Sequence, residues 1–135
     1  MKPSLQPGIS LVRRVLVQKE KTISFMGEAG RVYATPYLVG DIEYTCRNLI
    51  LEHAEPSEDS VGVEVAIRHL APTLPGSTVE ITATVTAVEG RKITFAVIAK
   101  DEIDTISSGT HARFVVDTAK TIERLKAKAA KLRTA

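Results

Sequence analysis

Apolar residues follow two rhythms along the chain. Between Tyr37 and His53, residues Leu38, Val39, Ile42, Cys46, Leu49 and Ile50 recur at three- and four-residue spacing. That period predicts an amphipathic helix of about five turns. Pro36 suits its first position, Thr35 is the N-cap expected before it, and Glu55-Pro56-Ser57 stops it. From Ser60 to Val116 the rhythm is two residues. Val61, Val63, Val65, Ile67 and His69 share one phase; Val79, Ile81, Ala83, Val85 and Ala87 the next; Ile93, Phe95, Val97 and Ala99 a third; Ile106–Val116 a fourth. Ala71–Gly76, Glu89-Gly90 and Asp101–Asp104 read as turns, so the four strands form an antiparallel meander. Gly8–Val17 reads as a strand, 18–31 as a polar loop long enough to be functional, and Asp117–Ala135 as a Lys/Ala/Leu helix.

One long apolar helix beside antiparallel strands predicts an α+β architecture with the sheet wrapped around that helix, the hot-dog fold, followed by a C-terminal helix. A chain of 135 residues fits a single domain, 1–135. An edge strand and a half-covered helix predict pairing into a homodimer, or a higher oligomer built from it. Gly40 in mid-helix costs about 1 kcal/mol against Ala, which a close backbone approach there, for instance at the dimer seam, would explain.

Charge narrows the partners. Eighteen basic and 16 acidic residues leave +2, too little to argue for nucleic acid or membrane. Six Lys/Arg against Glu123 in the terminal helix read as a solvated face, with a weak attraction for an anion such as CoA. No aromatic platform accompanies them, so no nucleic-acid partner is expected. Cys46 has no internal partner, which suits a reducing compartment. Pro3, Pro7, Gly8, Arg13 and Arg14 interrupt any apolar leader, and no apolar run is long enough to span a membrane. A cytoplasmic setting is expected.

His69 is the most informative residue, since it shares a phase with four apolar side chains. It is either a strand-end histidine leaving the core or a partly buried imidazole able to act as acid, base or donor. Glu43 lies at the border of the helix's apolar stripe. The pattern favours a solvated boundary carboxylate; the alternative is a carboxylate held beside an apolar pocket. Asp41, on the other border, reads as a solvated acid. Thr35 reads as the cap, with a hydroxyl able to bind a substrate instead. His111 and Arg113 share a face with Val115, either solvated or, for Arg113, able to hold an anion. Cys46 reads as a small buried hydrophobe. Nothing has zinc-ligand spacing or the form of a phosphate-binding loop.

Taken in order, Val32–Glu43, Gly62 to His69, Pro75-Gly76, Val88–Arg91 and Ser108–Val116 resemble the fluoroacetyl-CoA thioesterase family of hot-dog proteins. The Ala-Thr-x-x-x-Val-Gly-x-x-Glu and Gly-Thr-His-x-Arg segments carry the resemblance together. It implies a catalytic set of Thr35, Glu43 and His69, a backbone glycine near the acyl group at Gly62, and a ligand-contacting Arg113. It also implies a homodimer with sites at the subunit interface, an acyl-CoA substrate, and no cofactor or metal. The family's lid carries two phenylalanines where an ungapped alignment places Met26 and Ala29, with Phe25 nearby. An acyl-CoA other than fluoroacetyl-CoA is therefore expected. A hot-dog dehydratase is disfavoured, since neither Asp41 nor Asp101 has a His five residues on. The remaining rival is a non-catalytic acyl-CoA binding or sensing protein on the same fold.

Overall fold

In chain order the elements are β1 (Ser10–Leu16), β2 (Thr22–Ile23), β3 (Val32–Tyr33), α1 (Thr35–Leu51), β4 (Glu58–His69), β5 (Thr78–Glu89), β6 (Lys92–Lys100), β7 (Thr105–Asp117) and α2 (Thr118–Thr134). The computed structural model describes residues 1–134; Ala135, included in the expected terminal helix, lies outside them. β1, β5, β6, β7 and β4 form one antiparallel sheet in that spatial order. The helix α1 packs across one face of it, touching β1, β4, β5 and β7. This is the α+β hot-dog arrangement the two rhythms predict.

The alternation of β5 and β6 is carried into the core as far as Val85; there the pairing slips, and Val88 packs on the core where the pattern placed Ala87. Val79, Ile81, Ala83 and Val85 of β5 and Ile93, Phe95, Val97 and Ala99 of β6 are buried. They meet Leu38, Ile42, Cys46, Leu49 and Ile50 from one stripe of α1. Burying each large aliphatic side chain contributes roughly 1.5–3 kcal/mol, so this shared layer is what holds helix to sheet.

Two local readings change. The N-cap of α1 is Ala34, and Thr35 is already helical. Its hydroxyl is thus not needed to cap the helix. The 18–31 loop contains two single 3₁₀ turns, Lys19–Lys21 and Glu28–Gly30, and the short strand β2, which pairs with β3. Such two-residue strands carry too few positions to show a period. Within one copy of the chain, a Cβ at Gly40 would meet nothing within 4 Å among the described residues.

The edge strand β4 departs most. Val61, Val63 and Val65 are 43%, 54% and 42% exposed, although their alternation matched that of buried strands. The pairing of β4 with β7 slips between Gly62 and Glu64, leaving Val63 as a bulge. A bulge reverses which phase faces inward. Before it Glu58 and Ser60 point inward; after it, Ile67 and His69 lie on the covered side. The bulge therefore brings Gly62 and His69, opposite in phase, to the same face of the sheet.

Candidate active site

The start of α1 and the end of β4 bring two sequence-predicted residues together. Thr35 Oγ1 lies 2.8 Å from His69 Nδ1. With the threonine hydroxyl donating, the imidazole carries its proton on Nε2. That Nε2 is buried and has no hydrogen-bond partner among the described residues. Desolvation pushes the His69 pKa below its ordinary value, so the ring is neutral at pH 7. Tyr33 sits edge-on to the imidazole, ring centres 6.5 Å apart. The pair opens on a cavity of about 580 Å³, walled largely by apolar groups such as Ile23, Phe25, Val32 and Pro36.

Glu43, Gly62 and Arg113 form a second cluster, at a cavity of about 540 Å³ with Gly40, Tyr44 and Arg47 in its wall. Arg113 and His111, readable as a solvated face, are 4% and 2% exposed. Arg113 donates Nε to Ser60 Oγ at 2.7 Å, Nη2 to the Ser60 carbonyl at 2.9 Å and Nη1 to His111 Nε2 at 3.2 Å. The same Nη1 is 3.7 Å from Glu43 Oε2. His111 Nδ1 donates to the Glu64 carbonyl at 2.8 Å, which fixes the tautomer that accepts from Arg113. Most of the guanidinium's donors are thus spent within the chain, and one edge faces Glu43. A Cβ on Gly62 would lie 3.3 Å from Glu43 Oε1 and 3.4 Å from Arg113 Nη1. The glycine is what lets β4 pass so close to the carboxylate.

The two clusters are separate within one chain. Thr35 and Glu43 are eight residues apart on α1, about 12 Å along its axis. Gly62 and His69 are seven apart on β4, about 23 Å when fully extended. A single thioester cannot touch both ends.

Cys46 is fully buried, and desolvation pushes its thiol up to about 12, so it serves the core. No group of three His, Cys, Asp or Glu is placed to hold a metal ion among the described residues. None of their helices is long and apolar enough to cross a membrane. Asp41, expected in solvent, is 5% exposed. Its spacing of three from Leu38 and four to Thr45, both buried, was the available signal.

Residues 17–119 match the model of a family described as fluoroacetyl-CoA-specific thioesterase. The fluoroacetyl-CoA thioesterase of Streptantibioticus cattleyicolor is 35% identical over 123 residues, covering 86% of this chain and 88% of that protein. A solved fluoroacetyl-CoA thioesterase superposes with a TM-score of 0.85 at 34% identity, covering 92% of this chain and 97% of its own. A Thermus thermophilus protein described as a thioesterase superfamily member gives 0.91 at 30% identity, with both chains fully covered. The chain belongs to the fluoroacetyl-CoA-specific thioesterase family.

Proposed function

We propose that the protein hydrolyses acyl-CoA thioesters in a homodimer whose active sites combine Thr35 and His69 of one copy with Glu43, Gly62 and Arg113 of the second. The observation that carries this reading is the separation of the two clusters, together with the free edge of β4. Val61, Val63 and Val65 leave that edge apolar, and an unpaired apolar edge invites a second strand. Antiparallel pairing of two β4 edges, centred near Val65 and Ala66, sets His69 of each copy opposite Gly62 of the other. A twofold interface of this kind makes two identical sites.

In such a site the acyl group enters the apolar cavity beside Thr35. The neutral His69 donates its Nε2–H to the thioester carbonyl oxygen, where negative charge develops. Glu43, held by Arg113, takes a proton from water as the water oxygen attacks the carbonyl carbon. The tetrahedral intermediate collapses, the C–S bond breaks, and the CoA thiolate takes the proton back from Glu43. Acid and thiol are the products, and one water is consumed. Direct attack by Glu43 would give an acyl anhydride that water then opens; both routes need the same carboxylate. Arg113 positions Glu43, in addition to the ligand contact that the resemblance implies for it.

Small acyl esters, fluoroacetyl-CoA among them, are the substrate class, with the lid residues Phe25, Met26 and Ala29 setting preference. CoA arrives with the substrate and no further cofactor is used. The buried, unpaired Cys46 suits a reducing cytoplasm. Thiol release from acetyl-, fluoroacetyl-, branched and aromatic acyl-CoA tests the reading. Release abolished by Glu43→Gln supports it. Tight binding of esters with no release would turn the assignment to an acyl-CoA sensor.

A further inference from the structure

Asp41 takes no part in the proposed chemistry, yet it is among the most heavily engaged carboxylates of the protein. It stands on α1 between the two clusters and is 5% exposed. Lys21 Nζ donates to its Oδ1 at 2.9 Å and its Oδ2 at 3.1 Å. The Tyr33 hydroxyl donates to Oδ2. Arg13 Nη1 lies 3.7 Å from Oδ1 and donates to the Asp41 carbonyl at 3.2 Å, and Thr45 Oγ1 donates to that same carbonyl at 2.8 Å. A buried carboxylate with two cations and a phenol is stable as a set, and loss of one member leaves charge uncompensated.

The carboxylate's hydrogen-bond donors come from two places, the 3₁₀ turn at Lys19–Lys21 and β3, and its second cation comes from β1. Lys21 begins the segment that carries Ile23 and Phe25 into the wall of the Thr35–His69 cavity, and Tyr33 ends it. At its far end the Tyr33 amide donates to the Thr73 carbonyl at 2.8 Å, and within it Arg31 Nη1 donates to Thr22 Oγ1 at 3.2 Å. β2 and β3 share two residue pairs, and the Ala34 amide donates to the Lys21 carbonyl at 2.9 Å. Tyr33 is buried in the core, whereas Phe25 and Met26 are 89% and 75% exposed, so apolar burial anchors the end of the segment and not its middle. We infer that Asp41 is a positioning residue: gripping Lys21 and Tyr33, it clamps the 21–33 segment in the cavity wall and so sets which acyl chains fit. The selectivity part of this inference rests on the acyl-CoA reading; the clamp does not.

Amide exchange of the full-length protein tests the clamp. Lys21→Met should speed exchange across residues 22–31 by about tenfold while β5 and β6 keep their protection. Lys21→Arg should restore the slow exchange. Selectivity is read from Kd values for acetyl-CoA and hexanoyl-CoA in a Glu43→Gln background, where bound esters are not consumed. Lys21→Met should raise the hexanoyl preference by about tenfold, Asp41→Asn should do the same, and Lys21→Arg should leave it near the parent value. Unchanged exchange in Lys21→Met overturns the clamp. Faster exchange with an unchanged Kd ratio overturns the selectivity claim. Binding of both esters without thiol release by the unsubstituted protein counts against the hydrolase reading alone, because the Kd ratio and the exchange still decide the clamp.

Discussion

Around Glu43 the protein has already made its hydrogen bonds. Ser60, His111 and the Glu64 carbonyl hold Arg113 and its neighbour rigidly, and a glycine keeps the strand clear of the carboxylate. Around His69 the described residues supply one hydrogen-bond partner, Thr35, leave one buried nitrogen unengaged, and wall an apolar cavity to which Ile23 and Phe25 contribute. One end is organised before substrate arrives; the other leaves its donor and its space for the ligand. In the proposed mechanism, preorganised charge at the base and an adaptable acyl pocket are different demands, and the two clusters at opposite ends of one helix and one strand suit them.

The sharpest way to break this comparison is at the organised end. Glu43→Gln should lower kcat by about 10²–10⁴-fold while acyl-CoA affinity changes little, as read from steady-state thiol release and calorimetry. Equal losses in binding and turnover would make Glu43 a binding group. Next comes the seam that joins the ends. Val65→Lys on the exposed edge of β4 should yield monomers by light scattering and lower hydrolysis by about 100-fold, since neither copy then holds a whole site. Monomers with full activity would show that each chain suffices.

At the adaptable end, protonation of His69 should remove its neutral-donor role. Its pKa lies below the ordinary 6.5, so activity should persist at pH 7 and fall as pH drops through the depressed value. Stability should move the same way. Burial also depresses His111, so on acidification the unfolded chain binds protons first. Unfolding free energy should start to fall near the unfolded pKa of about 6.5 and keep falling until the folded-state values are passed. A stability profile flat from pH 7 to 5 would contradict the burial assigned to both rings. The smallest expected effect is at Gly62→Ala. The methyl would press on Glu43 Oε1 and Arg113 Nη1, costing about tenfold in kcat with little change in thermal midpoint.

The periodic parts of this protein are legible because the core reads them directly. β5 as far as Val85, β6 and the Leu38–Ile50 stripe are buried on the side their alternation indicates. β4 is not, because alternation reports an apolar face without saying whether the same chain covers it, and because one bulged residue inverts the phase. Hence Gly62 and His69 read as opposite and lie on one side. His111, Arg113 and Asp41 read as solvated for a related reason. Each is buried only because partners distant in sequence, Ser60, Glu64, Lys21 and Tyr33, satisfy it, and no local pattern records such partners. Thr35 differs by a single residue in register, yet that residue converts a helix cap into a histidine's partner.

The central claim is that one working site needs two copies of the chain. Glu43→Gln and His69→Ala proteins, each inactive alone, can be mixed, unfolded and refolded together. Random pairing makes half the dimers mixed, and each mixed dimer holds one site with both native residues, so about one quarter of the unsubstituted activity should return. No recovery, with mixed dimers confirmed by mass spectrometry, would contradict the shared site and place the whole reaction within a single chain.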